Sequence, residues 1–181
     1  MTLARQLRID GLASRHYGLT DGIATGYAEA ARLCLDRHHQ SPVDIEIDHS
    51  GRVETTSLEW EAPDARIRAA HANETDATEA GAYACVLAAV ELVLQLVAIH
   101  QAQTLTGSDY YIAPVGSPVE DLEHALRLEI SGVDKGSPAA VRQRLSTKLE
   151  QAAKGTSNLP ALAGVVGFKA RLIMIERVTE P

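Results

Sequence analysis

The sequence predicts a mixed α/β protein of the α+β kind, with a central mixed sheet flanked by helices and preceded by an N-terminal helix and β-hairpin. Three observations carry this. Val43, Ile45 and Ile47 alternate with Asp44, Glu46 and Asp48, the period of a strand with one wet face. The apolar run from Ala80 to Ile99, interrupted by Glu91 and Gln95, is far too long for a strand and reads as a core helix. Further on, strand-like segments are interleaved with a basic amphipathic helix opened by Pro138, as in proteins that pack helices on a sheet.

In chain order, residues 1–19 show no clean period and predict no defined element. From Asp21 to His38, Ile23, Tyr27, Ala30, Ala31 and Cys34 repeat at helical spacing. After Pro42 comes the alternating strand, then the turn Asp48-His-Ser-Gly51 and a returning strand from Arg52 to Trp60. Its inward parity shifts between Val53 and the Leu58/Trp60 pair, which predicts a bulge. Asp64 to Ala72 reads as a short helix, and Asp76 to Ile99 as the central helix with Asp76 as its cap. Gln103 to Ile112 is strand-like and is broken by Pro114-Val-Gly-Ser-Pro118. Glu120 to His124 forms an acidic connector, and Leu126 to Val133 is the next strand. Pro138 to Gln151 is a helix with proline at its favoured first position and a stripe of Val141, Leu145, Leu149 and Ala152. Gly155 to Pro160 is a loop, and Ala170 to Val178 a final apolar strand. Residues 1–72 thus read as an extension packed on a core spanning 73–181, the two forming one compact domain.

With 181 residues the chain is long enough to bury a sizeable core, and its net charge of -7 argues against a surface that grips nucleic acid everywhere. A local basic face remains compatible with that charge. Cys34 and Cys85 stand far apart with no Cys-x-x-Cys pair, the pattern of two buried thiols in a reducing, cytoplasmic setting. No positive-then-apolar leader opens the sequence, so no secretory signal is expected. The Ala80–Ile99 run has the length of a membrane span but lacks flanking Lys/Arg clusters and aromatic belts, so no membrane is expected as a partner.

Two carboxylates stand among apolar neighbours, Asp109 in Gly107-Ser-Asp109-Tyr-Tyr-Ile112 and Glu129 in Leu126-Arg-Leu-Glu129-Ile-Ser131. An unpaired charge is costly in such surroundings. If their strands pair as neighbours, Asp109 and Glu129 converge and could share Mg²⁺ or Mn²⁺, hard ions that favour oxygen ligands. The competing reading is structural, with Glu129 paired to Arg127 or a neighbouring strand and Asp109 held in a turn. Lys148 falls at the edge of the apolar stripe on its helix, where it either points to the sheet or snorkels to water. Glu79 follows Asp76 at capping-box spacing, so it is open to a capping role. Arg142, Arg144 and Lys148, with Lys169 and Arg171, make the most basic region of the chain. Adjacent His38 and His39 cannot face one way on a helix and are poor metal ligands as a pair.

The order of a helix with an acid near its start, a strand bearing Asp109, a strand bearing Glu129-x-Ser131, a helix and a closing strand resembles the PD-(D/E)xK nuclease superfamily over about Asp76 to Val178. The resemblance implies a restriction-endonuclease-like core. Glu79 would be the helix acid, and Asp109 and Glu129 the metal ligands. The superfamily's lysine would fall at Ser131, a departure that implies either a displaced cation or a degenerate site. Because migration of that lysine onto the following helix is known in the superfamily, Lys148 is the candidate, with Lys135 second. The implied activity is metal-dependent hydrolysis of phosphodiesters in DNA rather than RNA, by a homodimer or a subunit of a larger defence or repair assembly. The alternative is a catalytically inactive scaffold or binding subunit of the same fold.

Overall fold

The computed structural model describes residues 5–103, 108–155 and 157–179. They form one eight-stranded mixed sheet with helices on both faces, an α+β architecture. The N-terminal part contributes strand β1 (Gln6–Leu7), helix α1 (Asp21–Asp36), the hairpin β2 (Val43–His49) and β3 (Arg52–Leu58), and the short helix α2 (Ala65–Ala70). Helix α3 (Glu74–Leu94) follows, then β4 (Leu96–Gln101), β5 (Tyr110–Pro114), β6 (Leu126–Val133), helix α4 (Pro138–Ala153), β7 (Ala161–Gly167) and β8 (Leu172–Arg177). The strand order is β1-β3-β2-β8-β7-β6-β5-β4. β4, β5 and β6 form an antiparallel meander, and α4 then carries the chain over to β7, which runs parallel to β6. The hairpin joins the sheet where β2 pairs with β8 in parallel, so the N-terminal strands extend the sheet of the core.

The hairpin turn has Ser50 and Gly51 both at positive φ, with the Gly51 N–H donating to Asp48 Oδ1 at 2.9 Å. Such a turn matches the twist of paired strands. The expected bulge in β3 is corrected: the register from Val43↔Leu58 to His49↔Arg52 is continuous. Val53 is simply on the solvent face, 57% exposed, while Thr56 and Leu58 on the other parity are buried.

Helix α3 begins earlier and ends earlier than its apolar run suggests. Asn73, not Asp76, caps it, its side chain accepting from the N–H groups of Thr75 and Asp76. The helix stops at Leu94, Gln95 turns left-handed at φ 56°, and Leu96–Gln101 continues as β4 instead of helix. α3 has the length and composition of a membrane span, yet 61% of its most apolar window is buried inside the protein. It lies between α1 and the sheet, and the approach is close. A Cβ on Gly81 would stand 2.9 Å from Ala31 Cα, and one on Gly132 of β6 would stand 2.8 Å from Thr78 O.

Two apolar layers result. Tyr110, Ile112, Leu128 and Ile130 join α1 and α3 in the main core. On the opposite face Val141 and Leu145 of α4 pack on Ala163, Val165 and Leu172, as the amphipathic stripe predicts. Both cysteines are buried and unpaired, and burial pushes the Cys34 thiol up to about 12.

Candidate active site

Sheet geometry decides where each predicted residue stands. Along β6, Leu128 and Ile130 turn into the α1/α3 core, so Glu129 turns to the α4 face. Asp109 does not lie within β5 as the sequence suggests but just before it. The part of that expected strand at 104–107 lies outside the described residues. Tyr110 pairs with Leu128, and the Asp109 N–H donates to the same Leu128 O at 2.8 Å, so Asp109 enters β5 beside Leu128, the residue next to Glu129.

The Asp109 carboxylate is held on both oxygens. Tyr83 of α3 donates its hydroxyl to Oδ1 at 2.8 Å, and the Ile130 N–H donates to Oδ2 at 2.6 Å. Asp109 thus terminates the β5–β6 ladder with its side chain, satisfying a backbone donor that would otherwise lack a strand partner. Tyr83 stacks on Tyr27 of α1, with ring centroids 4.8 Å apart, and lies edge-on to Tyr110 at 5.8 Å. The Tyr27 and Tyr110 hydroxyls are in turn 2.9 Å apart. Burial first, then the neighbouring Asp109 charge, raises the Tyr83 phenol well above its ordinary range, so it serves as a hydrogen-bond donor.

Glu129 is 9% exposed and meets Lys148 of α4, whose Nζ lies 2.7 Å from Oε1. Of the two placements the stripe allows for Lys148, the one facing the sheet is adopted. Burial pushes the Glu129 carboxyl above the usual carboxylate range. The Lys148 hydrogen bond pulls it back, and the Asp109 charge pushes it up again. The partners of Asp109 and Glu129, Tyr83 and Lys148, come from helices on opposite faces of the sheet.

Glu79 is exposed on α3, one turn before Tyr83 and on the same helical face. The cap belongs to Asn73, so Glu79 is not part of a capping box. Ser131 is half-buried two residues beyond Glu129, and Lys135, the second candidate for the cation, pairs with Glu74 at 3.0 Å. Arg144 is exposed one turn before Lys148 and shares its flank of α4, and Arg142, Lys169 and Arg171 are exposed as well. His38 contacts Asp134 and His39 contacts Phe168 O, so the two point to different partners.

Two positions along β6 from Glu129, Arg127 lines a cleft of about 690 Å³ together with Arg177, Asn158 and Leu159. Its guanidinium donates to Leu159 O at 3.1 Å and Ala152 O at 3.2 Å, tying the end of α4 to the following loop.

Among the described residues, no three His, Cys, Asp or Glu side chains gather into a ready-made metal cage. The donor chemistry nevertheless fits a hard divalent ion, because Mg²⁺ is commonly held by one or two carboxylates with water completing its shell. A carboxylate has about four acceptor positions. Among the described residues each Asp109 oxygen uses one, and Glu129 Oε2 has no protein partner.

Tyr83, Tyr27 and the Ile130 amide are the parts of this arrangement that sequence reasoning misses. The one available signal is a tyrosine inside an otherwise aliphatic helix, whose hydroxyl must find a partner when buried. Comparison with models of known protein families, with curated proteins and with solved structures finds no match.

Proposed function

We propose that the protein is a metal-dependent phosphodiesterase acting on DNA in the cytoplasm, with Asp109 and Glu129 as ligands of Mg²⁺ or Mn²⁺ and Lys148 as the cation of the site. The observation that carries this reading is the 2.7 Å contact of Lys148 with Glu129, with the Asp109 carboxylate held by the N–H of Ile130, the residue that follows Glu129. A lysine beside the second carboxylate supplies, from α4, the charge that Ser131 lacks. Helix α3, strands β5 and β6, helix α4 and the closing strand β8 supply the helix, strand, strand, helix, strand series of the PD-(D/E)xK resemblance, with β4 inserted after α3 and β7 before β8. A bound divalent ion supplies a more acidic water and offsets charge on the phosphodiester. The chain's own groups then hold that ion and the substrate. Asp109 and Glu129 bind the ion, Lys148 and Arg144 face phosphate from one flank of α4, and Glu79 stands one turn above Tyr83. The chain acts as a homodimer or as a subunit of a defence or repair assembly.

The test is binding before cleavage. Millimolar Mn²⁺ should raise the melting temperature of the wild-type protein and leave that of Asp109→Ala unchanged. Supercoiled DNA should then be cut by the wild type and not by Asp109→Ala or Glu129→Ala. A wild-type melting temperature indifferent to both Mn²⁺ and Mg²⁺ rules the reading out.

A second reading, an inactive scaffold or binding subunit of the same fold, is favoured by a specific observation. Both carboxylates already have protein partners, and position 131 is serine. It predicts no metal response in either protein and unchanged stability on adding a chelator.

A further inference from the structure

The N-terminal helix bears on the candidate site through a chain of three tyrosines, and this gives Tyr83 a role that neither composition nor spacing suggests. Asp109 stands just before β5, its N–H on Leu128 O and its C=O accepting from the Ala102 N–H, bonds that do not by themselves fix its carboxylate. Two contacts do so instead: the Tyr83 hydroxyl on Oδ1 and the Ile130 N–H on Oδ2. Ile130 belongs to the same strand as Glu129, so the orientation of Asp109 relative to Glu129 is set through that amide. The Tyr83 ring is held from two sides. Tyr27 stacks on it at 4.8 Å with planes 20° apart, and Tyr110 meets it edge-on. The Tyr27–Tyr110 hydroxyl contact closes the trio onto β5, immediately beside Asp109. Four elements, α1, α3, β5 and β6, therefore converge on one carboxylate.

We infer that Tyr83 is a positioning residue for Asp109, fixing where its carboxylate stands relative to Glu129 and with it the capacity to hold a divalent cation, and that Tyr27 of α1 backs the Tyr83 ring. This rests on the metal-dependent reading of the site. Outer partners that orient a metal-binding carboxylate typically change metal affinity ten- to a hundredfold when removed. Their loss need not unfold the protein.

Tyr83→Phe keeps the ring and its stacking but removes the hydroxyl. Two readouts are taken on the full chain: the Mn²⁺ dissociation constant by titration calorimetry, and hydrogen exchange of the Ile130 amide in the absence of metal. The expected result for Tyr83→Phe is a melting temperature close to the wild type, Mn²⁺ binding about tenfold weaker, and faster Ile130 exchange as Asp109 loosens. Tyr27→Leu, which removes the stacking partner only, should show the same two changes to a smaller degree. Wild-type Mn²⁺ affinity and wild-type Ile130 protection in Tyr83→Phe would overturn the inference. If the wild type binds no Mn²⁺, the metal-dependent reading fails by itself. The Ile130 comparison then decides alone whether Tyr83 fixes Asp109, with faster exchange in Tyr83→Phe supporting it and unchanged exchange refuting it.

Discussion

Lys148 Nζ stands 2.7 Å from Glu129 Oε1, and the two side chains are 19% and 11% exposed. A pair this enclosed is asymmetric in its energetics. Removing one partner leaves the other charge in poor solvent, whereas removing both does not. Lys148→Met is expected to destabilise the protein by about 2 kcal/mol, below the range for fully buried pairs because some water reaches both groups. Glu129→Gln/Lys148→Met together should recover most of that loss. Urea unfolding of the two variants and the wild type measures the difference, and equal losses in the single and double variants would show that the pair is not coupled.

His16 is fully buried and ties the N-terminal segment to the junction of α3 and β4. Its Nδ1 accepts from the Ala98 N–H at 3.0 Å, so Nε2 carries the proton and donates to Glu91 at 3.1 Å. Arg15 binds the same carboxylate at 2.9 Å, and the Gly18 N–H donates to Ala98 O, so the outer edge of β4 is covered at Ala98. Burial lowers the His16 pKa, with Glu91 opposing. The folded protein therefore favours neutral imidazole. The stability this contributes is present above about pH 6.5 and is lost as pH falls through the folded-state pKa. His16→Ala should cost about 3 kcal/mol near neutral pH, since an amide and a carboxylate lose their partner together. The gap between variant and wild type should narrow as pH falls below about 6.5. Chemical denaturation across that range provides the check, and a gap independent of pH would mean that His16 does not titrate on unfolding.

The close crossing of α1 and α3 supplies a third expectation. A Cβ at Gly81 would lie 2.9 Å from both Ala31 Cα and Ala31 N, which are backbone atoms that no rotamer change can move. Gly81→Ala should therefore destabilise by about 1–3 kcal/mol despite alanine's better helix propensity. At Gly22 of α1, where nothing lies within 4 Å, Gly→Ala should instead be neutral or stabilising. Paired thermal melts of the two variants separate packing from propensity, and similar shifts in both would remove the close-approach explanation.

Much of the architecture is legible wherever one face of an element is wet. The β2 alternation and the α4 stripe are written in polarity, and both stand where the sequence places them. Elements buried on both sides carry no such contrast. β4 continues the apolar run of α3 and differs from it only in the left-handed turn at Gln95. β7, Ala-Leu-Ala-Gly-Val-Val-Gly, is buried along its whole length and has no alternation to detect. Its glycines are set by neighbours distant in sequence, Gly164 against Val86 and Gly167 against Val141. The candidate site divides in the same way. Asp109, Glu129 and Lys148 stand out as charges beside apolar residues, but Tyr83 is identified only once α3 is laid across β5 and β6.

On the proposed nuclease reading, Ser131 offers the most direct test of whether Lys148 supplies the cation of the site. It lies two residues beyond Glu129 on the same face of β6, at a spacing of roughly 7 Å that a lysine side chain can span. Lys148→Met removes the cation from α4, and Ser131→Lys supplies one from the strand. If the site needs one ammonium beside Glu129 wherever it originates, Ser131→Lys/Lys148→Met should regain most of the stability lost in Lys148→Met. Any Mn²⁺-dependent cleavage abolished by Lys148→Met should return with it. Ser131→Lys alone should gain little, because Lys148 already occupies Glu129 Oε1. Thermal melts and DNA cleavage on the four proteins form a complete cycle. Failure of the double variant to recover either property would mean that Lys148 acts through its place on α4 and not as a transplanted cation.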